Sequence, residues 1–172
     1  EMEWLVILAL ATAFSFIVTS VLYKHSHHYY CKHKNHIKQY EHPIPLHQDI
    51  YPSLGDAKVL VIGMGRVGKG AFKAIHAQLG QQVCGIDSDP DKINKLAKLG
   101  KNAIVGDGED IDLWENLNIQ NIELVLIALP SIEDASNITQ QLKSTNFNGR
   151  IAAIARYEDE VEPLINNGVD RV

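Results

Sequence analysis

The residues best suited to chemistry form one short run, Gly63-Met64-Gly65-Arg66-Val67-Gly68. Its spacing is G-x-G-x-x-G. It follows the apolar run Lys58–Ile62 and opens a stretch of helical periodicity, and in that position each glycine has a task. Gly63 allows a tight turn, Gly65 lets an anionic group approach the backbone, and Gly68 lets the helix pack closely on the strand. Free N–H groups and the positive end of the helix dipole then favour a pyrophosphate. Asp87 lies 19 residues after Gly68, at the end of a second apolar run. An acid there accepts hydrogen bonds from the 2′- and 3′-hydroxyls of an adenine ribose and repels a 2′-phosphate. No arginine stands in residues 85–91 to offset that repulsion, so NADP is disfavoured. The plainer alternative for Asp87 is a turn or cap residue before Pro90.

A third acid, Asp107, sits in Gly106-Asp107-Gly108-Glu109-Asp110. Either it points at the base or ribose from a neighbouring loop, or it belongs to the capped start of a short helix. Arg66 is either a counter-charge for phosphate or a surface residue. Gly63 to Lys69 also fits the first part of a P-loop. That motif needs Ser or Thr next to hold magnesium, and Gly70 stands there instead; the fourth apolar run carries no terminal Asp. Nucleotide hydrolysis is therefore not expected. A Tyr-x-x-x-Lys pair occurs only at Tyr30 and Lys34, ahead of the glycine loop, and His76 has no acidic partner in sequence and reads as exposed. A nucleotide site without a nucleophile–base set reads as a sensor rather than an enzyme, with no catalytic residue and no metal.

These residues need a frame. Apolar runs at Lys58–Ile62, Gln82–Ile86, Asn102–Val105, Glu123–Leu129 and Arg150–Ala155 predict five strands. Between them, helical spacing covers residues 66–79 (Val67, Ala71, Phe72, Ile75, Leu79), Pro90 to Gly100, 111–117, a helix opened by Ser131 or Ser136, and 158–167. Phe72 and Trp114 read as core. Strand 4 is apolar throughout, as expected when both faces are covered. Five alternations of strand and helix predict an α/β fold, a Rossmann-like doubly wound parallel sheet whose ligand loops gather at one edge. Val169 onward reads as the start of a sixth strand cut by the end of the chain, so the 172 residues read as a piece of a longer protein.

The frame begins only at residue 56. Residues 4–22 carry no charge, and a helix of that length is about 28 Å long, close to the thickness of a bilayer core. Glu1 and Glu3 give the wrong sign for a signal peptide, so residues 1–23 are expected to form a transmembrane helix. Lys24, Lys32, Lys34 and Lys38 follow with no acid among them. The positive-inside rule then puts residues 24–172 in the cytoplasm of an inner (plasma) membrane protein. Cys31 and Cys84 suggest no disulfide framework, which fits a reducing compartment. Residues 24–55 form a basic, His-rich linker containing Pro43, Pro45 and Pro52. His25, His27, His28, Cys31, His33 and His36 have the chemistry of metal ligands but match no finger spacing; the plainer reading is an interfacial segment. The net charge of −5 argues against nucleic acid as a partner.

The runs KVLVIGMGRVGKGAFKAI, GIDSDPDK, IVGDGED, ELVLIAL and AAIARYEDE…GVDRV, across residues 56–172, resemble the TrkA-N (RCK/KTN) regulatory domain. With the helix and basic linker ahead of them, they are similar to the C-terminal tail of Kef-type potassium/proton antiporters. The resemblance implies a homodimer of these domains that binds an adenine nucleotide, AMP or NAD/NADH, and gates a membrane antiporter portion of the same chain. Gly63, Gly65, Arg66, Val67 and Gly68 would then hold phosphate, Asp87 the ribose and Asp107 the adenosine region. Met64, Ser88 and Gly108 complete the candidate set. Where the family often has Gly-Asp-Ala-Thr/Ser, this chain has Gly-Asp-Gly-Glu. Glutathione-gated Kef members carry an arginine near Arg156, so glutathione is a candidate second ligand. The alternative from another class is the cofactor-binding half of a membrane-anchored NAD-dependent oxidoreductase.

Overall fold

Each of the five apolar runs after residue 56 becomes one strand of a single parallel sheet. The computed structural model describes residues 2–37, 40 and 51–172, in two units, 1–49 and 50–172. The second unit holds β1 (Val59–Ile62), α2 (Arg66–Leu79), β2 (Val83–Asp87), α3 (Pro90–Ala97) and β3 (Ala103–Val105). After these come α4 (Ile111–Asn116), β4 (Leu124–Ile127), α5 (Ile132–Ser144), β5 (Arg150–Ala153) and α6 (Val161–Asn166). The strand order is β3-β2-β1-β4-β5, with every pair parallel. Order reverses between β1 and β4, whose ends, Ile62 and Ile127, are partners. That reversal opens the crevice where such sheets take ligands.

Side chains alternate across the sheet and build two cores. Leu60, Ile62, Cys84, Ile86, Val125, Ile127 and Ile151 pack with Trp114, Ile138, Leu142 and Leu164 on one face. Val59, Val61 and Val83 pack with Met64, Phe72, Ile93 and Leu96 on the other. Phe72 and Trp114 are fully buried, as their spacing predicts. Both faces of β1 are covered. On β4, Leu124 and Leu126 are only half-buried, so the expectation that both faces of strand 4 are closed holds for one of them. Val67 and Leu79, read as members of the apolar face of α2, are 53% and 40% exposed. They lie in its first and last turns, at the ends of the covered stretch.

Caps set the helix starts. Asp89 Oδ1 accepts the N–H groups of Asp91 and Lys92, and Pro90 takes the first position of α3. Of the two candidate starts for α5, Ser131 is the cap and accepts from Asp134 N–H. Ser136 lies inside the helix, buried. The expected sixth strand begins as a single parallel bridge from Arg171 to Ala152.

Among the described residues of the first unit is one α-helix, α1 (Met2–Ile37), of 36 residues. Its Glu3–Lys24 part is long and apolar enough to cross a membrane, and its side chains are exposed throughout. The Thr12 hydroxyl donates to the Ala9 carbonyl at 2.9 Å, so this polar side chain is satisfied within the helix. Residues 24–37, expected as linker, continue the helix. The reason is local: residues 2–42 contain no glycine or proline, and charge alone does not stop propagation. Pro43 and Pro45 lie outside the described residues, as do the side chains of His25, His27, His28 and Cys31. Among the described residues there is no group of three or more metal-ligating side chains.

The core makes a direct prediction. Leu60 is fully buried between both neighbours of β1, and Leu99 is 70% exposed. Leu60→Ala should cost about 2–5 kcal/mol of unfolding free energy, and Leu99→Ala about 0.5 kcal/mol or less, measured by denaturant titration.

Candidate nucleotide site

The loop between β1 and α2 is held by contacts that only glycine permits. Gly63 has φ +88°, a left-handed conformation, and a Cβ there would meet the Ala128 carbonyl oxygen at 2.9 Å. A Cβ on Gly68 would fall on the Gly63 carbonyl, so the start of α2 presses directly on the end of β1. Gly65 differs. Nothing lies within 4 Å of a Cβ built there, which leaves that side of the loop open. The backbone shows the turn expected at Gly63 and the close packing expected at Gly68, and it leaves the space beside Gly65 free. Gly65 is also the N-cap residue of α2, and no side chain caps that helix. Its first intrahelical bond runs from Lys69 N–H to the Gly65 carbonyl, so the N–H groups of Arg66, Val67 and Gly68 precede the helical ladder. Uncapped N–H groups beside an open glycine, at the positive end of a 14-residue helix, suit a phosphate oxygen. Arg66 and Val67 are exposed here.

Asp87 closes the site from β2. It is 8% exposed, and both of its oxygens are occupied. Oδ2 accepts Met64 N–H at 2.6 Å, and Oδ1 accepts Asp89 N–H at 2.9 Å. The Lys92 ammonium reaches both, at 3.0 and 3.1 Å. Burial alone would raise the Asp87 pKa. The Asp89 N–H, the Lys92 ammonium and the Met64 N–H outweigh it and hold the carboxyl below its ordinary value. The acid is thus charged and tied to the glycine loop, and its Oδ1 also closes an Asx turn on Asp89 N–H, so Asp87 is a turn residue before Pro90 while the cap itself is Asp89.

The third loop lies alongside. Gly106 N–H donates to the Asp87 carbonyl at 3.1 Å, which sets the β3–α4 loop next to the β2 end. Asp107 is exposed, and its Oδ1 accepts Glu109 N–H at 3.0 Å. It does not cap α4; Asp110 does, accepting from Asp112 N–H. Asp107 therefore belongs to the turn that leads into the Asp110-capped start of α4, and its carboxylate is exposed on the loop next to the β2 end.

Two candidates turn out to be internal. Met64 is fully buried against Gly85 and Phe72, and its N–H is occupied by Asp87. Gly108 is buried because a Cβ would meet Ile138 Cδ1 at 2.8 Å and Ile62 Cγ2 at 3.0 Å, and its carbonyl accepts the Trp114 indole N–H at 2.7 Å. Both are packed into the loops, with the Met64 N–H and the Gly108 carbonyl already bonded within the protein. Ser88 is exposed, one residue past Asp87. His76, read as exposed, is half-buried against Phe72 (ring centroids 5.7 Å apart), with Nε2 out of solvent and unpartnered. Lys92 is a residue of this site that neither the glycine-loop motif nor the acid motif includes. A helical residue five positions after the acid, reaching back over its cap, was the available signal.

A parallel sheet with this strand order, a glycine loop at the switch point and an acid at the end of β2 defines the class of Rossmann-like nucleotide-binding folds. Within that class, residues 59–172 match the TrkA-N domain, and the chain belongs to this family. It is 37% identical over 112 residues to Ktr system potassium uptake protein C of Bacillus subtilis (strain 168), covering 65% of this chain and 50% of that protein. It is 29% identical over 112 residues to the glutathione-regulated potassium-efflux system protein KefC of Cronobacter sakazakii, covering 65% of this chain and 18% of KefC. The chain therefore spans about half of one relative and under a fifth of the other. Among solved structures, the GsuK channel bound to NAD superposes with a TM-score of 0.61 at 15% identity, covering 73% of this chain and 24% of that one. A GsuK structure bound to ADP superposes with a TM-score of 0.60, also at 15% identity, covering 73% of this chain and 34% of that one. The family resemblance, the fold and the potassium-transport kinship inferred from sequence are borne out.

Two predictions separate packing from binding. Gly68→Ala should destabilise by about 3 kcal/mol or more, because its Cβ meets backbone. Gly65→Ala should cost about 0.5 kcal/mol or less, since its φ of −73° suits alanine and its surroundings are open. Denaturation midpoints of the two variants decide this. The second prediction concerns acid. Folding lowers the Asp87 pKa, so its stabilisation is complete above the ordinary value of 3.8 and is lost as the pH falls below it. The stability deficit of Asp87→Asn should accordingly shrink in unfolding curves taken below that pH. A deficit constant across the acid range would show that the carboxylate charge contributes nothing.

Proposed function

We propose that residues 56–172 bind an adenine nucleotide, AMP or NAD/NADH, and that this binding regulates a potassium/proton antiporter of which the chain is part. Phosphate is held by Gly65 and by the N–H groups of Arg66, Val67 and Gly68, with the Arg66 side chain as counter-charge. The ribose lies against Asp87 and Ser88, and Asp107 faces the adenosine region. One observation carries the reading: an uncapped helix start beside an open glycine, with a buried, charged aspartate tied to the same loop. The nucleotides bound to GsuK support it, as do the potassium-transport relatives. Residues 1–23 span an inner (plasma) membrane, residues 24–55 connect, and residues 24–172 lie on the cytoplasmic side. The regulatory domain pairs with a second copy of itself and performs no chemistry. The relatives favour this over the alternative, a cofactor-binding half of a membrane-anchored oxidoreductase. Glutathione is a second effector to be tested beside the nucleotide.

A ligand shifts such a gate only by the difference in its affinity for the two states. Binding must therefore be measured first. With NAD, NADH or AMP at about 100 times its dissociation constant, the full chain in detergent should gain about 2.7 kcal/mol of stability, seen as a raised melting temperature. Asp87→Ala should weaken that binding by about 1–3 kcal/mol in calorimetry. Unchanged affinity would remove Asp87 from the site. Steady NADH consumption with a small carbonyl compound would favour the oxidoreductase.

A further inference from the structure

The contact that the nucleotide reading leaves unexplained is Lys92. Its ammonium lies 3.0 and 3.1 Å from the two oxygens of Asp87 and 3.7 Å from Asp89 Oδ2. A carboxylate offers about four acceptor positions. Here Met64 N–H, Asp89 N–H and two contacts from Lys92 fill them. A ribose diol brings two donors and needs two of those positions. The backbone donors are fixed by the glycine loop and by the turn into α3. The ammonium is not fixed. Its side chain is 35% exposed against 7% for Asp87, and Asp89 offers it a second carboxylate when it moves.

We propose that Lys92 sets selectivity at the ribose 2′-position: its ammonium yields Asp87 to a free diol and pairs with a 2′-phosphate when one is present. The inference rests on the adenine-nucleotide reading of the site. It revises the expectation drawn from Asp87 alone. An unaccompanied acid at the end of β2 repels a 2′-phosphate strongly. An acid with a lysine on both of its oxygens repels it less, and the lysine supplies a charge-assisted hydrogen bond to the incoming group. Asp87 and Asp89 both remain acidic, so the preference for the unphosphorylated ribose is narrowed and not reversed. For the unphosphorylated nucleotide, Lys92 competes with the ligand for Asp87. Its removal should leave NAD affinity unchanged or tighter.

The test is calorimetric binding of NAD and NADP to the full chain in detergent, for the unchanged protein, Lys92→Met and Lys92→Arg. Lys92→Met should raise the NADP/NAD ratio of dissociation constants by about tenfold or more, the scale of one charged hydrogen bond. NAD should bind that variant at least as tightly as it binds the unchanged protein, and Lys92→Arg should keep the original ratio within about threefold. A ratio that Lys92→Met leaves within about threefold overturns the inference, as does NAD binding that weakens with the ratio unmoved, which would make Lys92 a mere support for Asp87. Melting temperatures of both variants confirm that they are folded. Binding of NAD to the unchanged protein with an unmoved ratio sinks this inference alone. Failure of every adenine nucleotide to bind the unchanged protein sinks the reading of the site with it.

Discussion

The structure depends on one close approach, the start of α2 against the end of β1. Gly68 touches the Gly63 carbonyl with no room for a Cβ, and Gly63 turns there with a positive φ. Without that contact α2 would stand off the sheet. Phe72 would then leave the core it shares with Val59, Val61 and Val83. The same approach places the uncapped start of α2 at the end of β1. One constraint therefore sets both the packing of α2 and the place of its uncapped N–H groups, and the glycine that serves packing, Gly68, is not the one with open space beside it, Gly65.

Asp87 ties the second half of the site to that constraint. A buried carboxylate would be costly were it not hydrogen-bonded, and here backbone N–H groups from two loops and one ammonium satisfy it. One of those N–H groups belongs to Met64, inside the glycine loop. The acid thus fixes the loop's shape before any nucleotide arrives, and its charge persists because the surrounding donors outweigh burial. A residue expected to contact ligand is also a structural member of the free protein.

What the sequence made legible follows from how local the physics is. Short apolar runs marked all five strands, period-3.6 spacing marked the helices between them, and glycine spacing marked the turn at Gly63 and the close packing at Gly68. The internal roles of Met64 and Gly108 were not legible, because they depend on side chains from β2, β1 and α5 that meet only after folding. Lys92 was hidden for a related reason: its partner lies one cap and five residues back, a reach that helix geometry permits but no short motif records. The apolar span marks only the part of α1 suited to a bilayer; the helix continues through residues 24–37, where no glycine or proline interrupts it.

The third loop is bonded to the helices that pack around it. Trp114 donates to the Gly108 carbonyl, Gln141 to the Glu109 carbonyl at 2.6 Å, and Asn137 to the Glu109 carboxylate at 3.2 Å. The loop bearing Asp107 is thereby fastened to α4 beneath it and to the exposed side of α5. A ligand that draws this loop toward Asp87 must carry those bonds with it or break them. Either way its binding energy includes a term for the position of α5. That is the physical requirement for a nucleotide to favour one arrangement of the domain over another, because only a difference in contacts between two states can shift their populations.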